Sequence, residues 1–257
     1  MKDLCAFTKK LTARFSLKKK QTAIVYYVYI NPNKDWRRLV LEQIDDVKNT
    51  HVLDVADLYI VVSNPDNVKD VDGFFEKLKG IYKEIKFYAE NKFEYWGLLC
   101  VWHLAQENAN YKYLAYFHTK GMTHPDQQRV KIEEVLTNAT FQPWQSLVKI
   151  FQTNQQVNKI GLFPARKLNA QGNIIRGGWI WYNFWWARAE YIRSLEPPKI
   201  NPKHRYYYEE WLSYPVVDSS AKYYDNWSIY SMSMTAYTNQ ETLDHTERLL
   251  TESACNQ

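Results

Sequence analysis

The sequence predicts a single α/β domain with a mainly parallel central sheet flanked by helices. Three observations carry this: the chain length, the regular alternation of strand-like and helix-like segments through the first half, and the absence of a linker. At 257 residues the chain is near the size that one hydrophobic core can organise. No Gly/Ser-rich or Pro-rich stretch divides it. With 46% hydrophobic and 24% charged residues, its balance is that of a folded chain rather than a disordered one.

The elements follow in order. Residues 1–21 form a basic arm, with Lys9, Lys10, Arg14, Lys18, Lys19 and Lys20. Such a run is a solvated arm or else a contact with an anionic membrane surface or nucleic acid. Thr22 to Ile30 is β-branched and aromatic throughout and reads as a buried strand, ended by Asn31-Pro32-Asn33. Trp36, Leu39, Val40, Ile44 and Val47 recur at helical spacing, giving a helix from about Lys34 to Asn49. Asp57 to Ser63 is a second strand, Val68 to Tyr82 a helix, and Ile85 to Tyr88 a third strand. A helix from Tyr95 to Glu107 and a fourth strand, Tyr113 to Phe117, complete the alternation. Ligands in such sheets bind beyond the carboxyl ends of the strands. That rule points to the loops Asn31–Asn33, Asn64–Asn67, Glu90–Glu94 and His118–His124.

The second half reads as a helical stretch from Gln127 to Gln152, interrupted before Pro143, then a strand from Lys159 to Phe163. The aromatic run Trp179 to Ala187 leads into a helix near Arg188–Leu195, and a basic loop reaches Tyr206 to Leu212. Residues 22–237 make up the domain, and 238–257 read as a polar tail that frays.

Several function classes are excluded. There is no Walker loop, G-x-G-x-x-G, H-E-x-x-H, G-x-S-x-G or paired C-x-x-C. Cys5, Cys100 and Cys255 are too scattered for a disulfide framework or a thiolate zinc site, which fits a reducing, cytoplasmic compartment. No signal-peptide core and no membrane-length apolar stretch occurs. Twenty Tyr and ten Trp exceed what a core of this size needs. They are half-buried walls of a wide cleft or flat platforms for sugar rings and a nucleobase. The run Trp179 to Ala187 holds no Lys or Arg, which argues against nucleic acid as a partner.

Four clusters are candidates for chemistry. His118, Thr119 and Lys120 emerge together after the fourth strand, a donor set suited to a diphosphate or else a polar turn closed by Gly121. Asn91 and Glu94 form a helix capping box, or an amide and a carboxylate for a nucleoside. Trp181, Asn183, Trp185 and Trp186 combine aromatic faces with one amide, as a sugar pocket does. Glu209 and Glu210 stand at a helix start, favouring its dipole or, against an aromatic wall, acting as a general base.

Taken in order, Tyr116-Phe117-His118-Thr119-Lys120-Gly121, then Asn183-Phe184-Trp185-Trp186-Ala187 and Tyr191-Ile192, are similar to a group of glycosyltransferases. These occur in bacterial polysaccharide clusters, including rhamnan synthesis, and in large algal, chlorella-type viruses. An Asn-x-x-Asp segment of that group is matched here by Asn91 and Glu94, and Tyr-Tyr-Glu-Glu-Trp-Leu resembles its late acidic motif. The resemblance spans about Thr22 to Tyr214.

It implies a GT-A-like (Rossmann-like) fold, a nucleotide-diphosphate-sugar, UDP-sugar first among them, and transfer to a glycan or polysaccharide acceptor. Tyr29, Asn31, Asn91 and Glu94 would bind the nucleotide, and His118, Thr119 and Lys120 the diphosphate. Trp181, Asn183, Trp185 and Trp186 would line the sugar and acceptor pocket. Glu209 or Glu210 would serve as base in an inverting transfer. Most GT-A enzymes hold Mn or Mg through an Asp-x-Asp after the fourth strand, and this chain has His118-Thr119-Lys120 there. Either His118 and another residue hold the metal, or Lys120 neutralises the diphosphate without one. The alternative expectation is a nucleotide- or sugar-binding module of the same fold without catalysis.

Overall fold

Two long apolar segments set the architecture. In the computed structural model, which describes residues 19–119, 128–215 and 225–255, β1 (Thr22–Tyr29) and β2 (Ala56–Ser63) are buried along almost their whole length. They pair in parallel, Thr22 opposite Ala56 through Tyr29 opposite Ser63. Strands that are apolar on both faces need cover on both, which crossover helices supply. β3 (Glu84–Tyr88) pairs in parallel with β2, and β4 (Tyr113–His118) in parallel with β1.

The remaining strands of this sheet come from the second half: β5 (Lys159–Gly161), β8 (Trp185–Arg188), β10 (Asn226–Ser228) and β11 (Ser233–Met234). The order is β11-β10-β5-β8-β4-β1-β2-β3. β8 runs antiparallel between β4 and β5. A smaller sheet joins β6 (Pro164–Leu168), β7 (Ile174–Ile180) and β9 (Tyr214–Pro215). The fold is therefore mixed α/β, with a mostly parallel central sheet.

Helices cover both faces. α1 (Trp36–Asn49) starts where the Asp35 side chain accepts from the Arg38 N–H, and buries Trp36, Leu39, Val40, Ile44 and Val47. α2 (Val71–Glu76) follows β2, and α3 (Tyr95–Glu107) follows β3. α4 (Gln128–Phe141) and α5 (Trp144–Thr153) share the face of α1, contributing Leu136, Phe141, Leu147 and Phe151 to one core. The opposite core takes Leu98 and Val101 of α3 and Ile192 of α6 (Ala189–Ser194). Gly97 sets how closely α3 approaches: a Cβ there would lie 2.8 Å from Tyr27 Cβ and 2.9 Å from the Tyr116 ring. Without a side chain at Gly97, the start of α3 settles directly onto β1 and β4. No described helix is long and apolar enough to cross a membrane.

The structure corrects several expectations. The helix after β2 covers only Val71–Glu76, because Gly80 at φ 96° turns the chain early toward β3. The break at Pro143 stands as expected, between α4 and α5. The aromatic run from Trp179 to Ala187 divides between β7 and β8, in different sheets, across a 3-10 turn at Trp181–Asn183. The tail does not fray. Asn239–Cys255 is a helix, α8. It begins with a reciprocal cap in which the Thr238 N–H donates to Glu241 Oε2 (2.6 Å) and the Glu241 N–H to Thr238 Oγ1 (3.3 Å).

Candidate active site

Four segments meet at the carboxyl ends of the parallel strands, the edge where open α/β sheets bind ligands. β4 presents Tyr116 and His118, two residues apart and so on one face. Glu94 sits at the start of α3. Asn183 comes from the 3-10 turn, and Tyr208 from the one-turn helix α7 (Tyr207–Glu210).

Glu94 is the hub of a hydrogen-bonded cluster. Asn183 Nδ2 and the Tyr116 hydroxyl (3.2 Å) both donate to Glu94 Oε2. Glu94 Oε1 lies 3.9 Å from His118 Nε2. Asn183 Oδ1 accepts from Trp185 Nε1 at 2.6 Å, and its amide reaches the Tyr208 carbonyl at 3.4 Å. A buried amide thereby has partners at both ends. His118 Nε2 is 3.0 Å from the Tyr182 carbonyl. A carbonyl only accepts, so Nε2 carries the hydrogen and Nδ1 is the basic nitrogen of the neutral ring. Burial, and then the charge of Glu94, pushes the Tyr116 phenol well up, which keeps it a proton donor to the carboxylate.

The backbone around this cluster is strained. Phe93 (φ 52°), Tyr182 (φ 67°) and Asn183 (φ 59°) are all left-handed without being glycine. Each costs on the order of 1 kcal/mol, and such residues persist where the surroundings over-determine them. Asn91 helps to hold the first, accepting from the Phe93 N–H at 3.0 Å. The capping box between Asn91 and Glu94 does not form. Glu94 makes no side-chain cap bond, because its carboxylate is turned instead to Asn183 and Tyr116.

The other residues expected to bind nucleotide or diphosphate make local contacts of their own. Thr119 bridges β4 to β1, its N–H donating to the Tyr27 carbonyl (3.0 Å) and its Oγ1 accepting from the Tyr29 N–H (2.9 Å). The Tyr29 phenol is pushed up by burial and then by Asp66, against a bond to Asn91 that pulls it down. Asn31 Oδ1 accepts from the Asn33 N–H at 3.0 Å, shaping the turn after β1. Lys120 lies outside the described residues.

A second feature, an open groove, adjoins the turn. Arg166, Lys167, Trp179, Trp181, Glu210 and Asn239 line it. The Trp179 and Trp181 rings meet edge to face at 5.5 Å. Arg166 is bonded to both oxygens of Glu241 (3.1 and 3.2 Å), and Arg176 lies 3.6 Å from Glu210 Oε2.

No family model matches the chain, and no curated protein does. Among solved structures it is similar to a protein of Desulfovibrio desulfuricans G20 assigned as a nucleotide-diphospho-sugar transferase. That match has 11% identity, covers 69% of each chain and has a TM-score of 0.32.

The structure brings Glu94, His118 and Asn183 together and separates the rest. Trp181 and Glu210 belong to the groove, and Glu209 lies half-exposed beside Glu210. Trp185 and Trp186 are a correction. Both are fully buried, on opposite faces of β8 and in different cores, with Trp186 Nε1 donating to the Thr140 carbonyl at 2.9 Å. One core covers each face of β8, so these rings shape the core and Asn183, not the pocket wall. Among the described residues no three His, Cys, Asp or Glu are placed to hold a metal, and His118 Nε2 is engaged by Tyr182. Tyr116, Tyr182 and Arg176 were given no role from the sequence. Only Tyr116 carried a signal, its two-residue spacing from His118.

Proposed function

We propose that the chain is a GT-A-like glycosyltransferase that moves a sugar from a nucleotide-diphosphate-sugar to a glycan acceptor with inversion. The observation that carries this is the convergence of Glu94, His118 and Asn183, from segments up to 89 residues apart, at the carboxyl edge of the sheet beside an aromatic groove. Tyr29, Asn31, Asn91 and Glu94 hold the nucleoside, of which uridine is the first to test. Thr119 and Lys120 hold the diphosphate together with His118, which in its protonated form adds a second N–H at Nδ1. Asn183, enclosed behind them, holds the Glu94 carboxylate in place. The acceptor lies in the groove against Trp181, with Glu210 as base and Glu209 as the neighbouring carboxylate.

In the reaction a bond forms between the acceptor oxygen and the anomeric carbon while the bond from that carbon to the diphosphate breaks. The acceptor proton passes to Glu210, and the negative charge leaves on the diphosphate, where the donors after β4 stabilise it.

The test is calorimetry with UDP, GDP and dTDP, with and without Mn, followed by nucleotide release from the matching sugar nucleotide. Binding of one nucleotide, with release lost in Glu210→Gln, is the expected result. Binding without release in the wild type would leave a binding module, and no binding at all would overturn the reading.

A further inference from the structure

The C-terminal helix α8 lies outside the sheet, yet one of its side chains reaches the strained turn. The Tyr182 hydroxyl is 2.9 Å from Thr246 Oγ1. Thr246 Oγ1 itself donates to the Thr242 carbonyl at 2.8 Å. A hydroxyl has one hydrogen, so Thr246 accepts and Tyr182 donates. The backbone of Tyr182 is left-handed (φ 67°), a conformation that an aromatic residue adopts only under external constraint. Its ring is further held edge to face by Phe163, with centroids 6.4 Å apart.

Two consequences pass from Tyr182 into the polar cluster. Its carbonyl is the group to which His118 Nε2 donates. The next residue, Asn183, supplies the amide that reaches Glu94. The orientation of this peptide thus acts on both the His118 tautomer and the place of the Asn183 amide.

We infer that Tyr182, clamped by Thr246 of α8, is a positioning residue that sets the Glu94–His118–Asn183 geometry. Its effect on turnover rests on the glycosyltransferase reading; its effect on His118 does not. The clamp makes the C-terminal helix part of the active-site support.

The experiment compares Thr246→Val, which keeps the shape but lacks the hydroxyl, with Thr246→Ser, which restores it, and with Tyr182→Phe. The readouts are the imidazole 15N signals of His118 and nucleotide release from the sugar nucleotide that the wild type uses. In the wild type His118 should show the Nε2–H tautomer. Thr246→Val and Tyr182→Phe should mix the tautomers and lower turnover about tenfold or more, with little change in KM, while Thr246→Ser behaves as wild type. Were Tyr182→Phe to unfold, the Thr246 pair decides alone. Unmoved His118 signals in folded Thr246→Val and Tyr182→Phe would overturn the inference. Wild-type protein without turnover would count against the glycosyltransferase reading only, because the nitrogen signals still decide the clamp.

Discussion

Two charged clusters sit at opposite edges of the same sheet. At the carboxyl edge, Glu94 is bonded to an amide and a phenol, with an imidazole nearby. At the amino end of β5, Lys159 is fully enclosed and pairs with Asp225 at 2.9 Å, with its Nζ also 3.0 Å from the Tyr191 hydroxyl. Register through β8 places Lys159 level with Leu114, four residues before His118 on β4. The backbone differs as well. Three left-handed non-glycine residues supply or adjoin the groups around Glu94, whereas Lys159, Tyr191, Asp225 and Leu212, whose carbonyl accepts from the Tyr191 hydroxyl at 2.6 Å, have none among them. Strain of this kind is retained where geometry matters more than stability. On that contrast we treat the Lys159 cluster as a fastening and the Glu94 cluster as the proposed site.

The sharpest way to break that contrast is to remove each charge. Lys159→Ala leaves the Asp225 carboxylate without its cation and opens a cavity, so it should cost about 3–5 kcal/mol in denaturant unfolding. Nucleotide release per folded molecule should stay unchanged. Loss of turnover at full stability would make Lys159 a functional group and overturn the division.

The same lysine gives a pH signature. Burial lowers its pKa to about 8, against the pull of Asp225. Between pH 8 and its ordinary value near 10.5 the unfolded chain still carries the proton that the folded one has lost. Stability contributed by Lys159 therefore rises with pH across that window, by about 1.4 kcal/mol for each unit separating the two pKa values. Unfolding free energies of wild type minus Lys159→Ala, measured from pH 7.5 to 10, should grow. A flat difference would mean that Asp225 holds the lysine charged.

Glu94→Gln probes the other cluster. The amide keeps the shape but loses the charge that Asn183 and Tyr116 donate to. Nucleotide release should fall on the order of 100-fold with the melting temperature near that of wild type. A large stability loss with normal turnover of the remaining folded protein would place Glu94 with Lys159 as a fastening.

How much of this could be read from the sequence follows the same geography. β1, β2, β4 and α1 were legible because their burial is periodic or continuous, and the carboxyl-edge rule then located Glu94 and His118. Asn183 was legible as an amide among aromatics. Its surroundings were not, because Trp179–Ala187 has the composition of one strand and only the left-handed Tyr182–Asn183 pair divides it between two sheets. The same division buries Trp185 and Trp186 and leaves Trp181 in the groove. Helix α8 was missed because its apolar residues are sparse; what holds its start is the Thr238–Glu241 cap, and what ties it to the site is the Thr246 hydroxyl.

The smallest effect sharpens the boundary between cluster and groove. Trp181 and Asn183 are two residues apart, yet Trp181 lines the groove and Asn183 is enclosed. If the groove only binds acceptor, Trp181→Ala removes a stacking face worth about 0.5–1.5 kcal/mol, which is about two- to thirteenfold in acceptor KM. Turnover at saturating acceptor should hold, because an interaction made equally in the ground and transition states changes KM alone. A fall in kcat with KM unmoved would show that the indole supports Tyr182 and Asn183 instead. Groove and cluster would then be one site sharing a single strained turn.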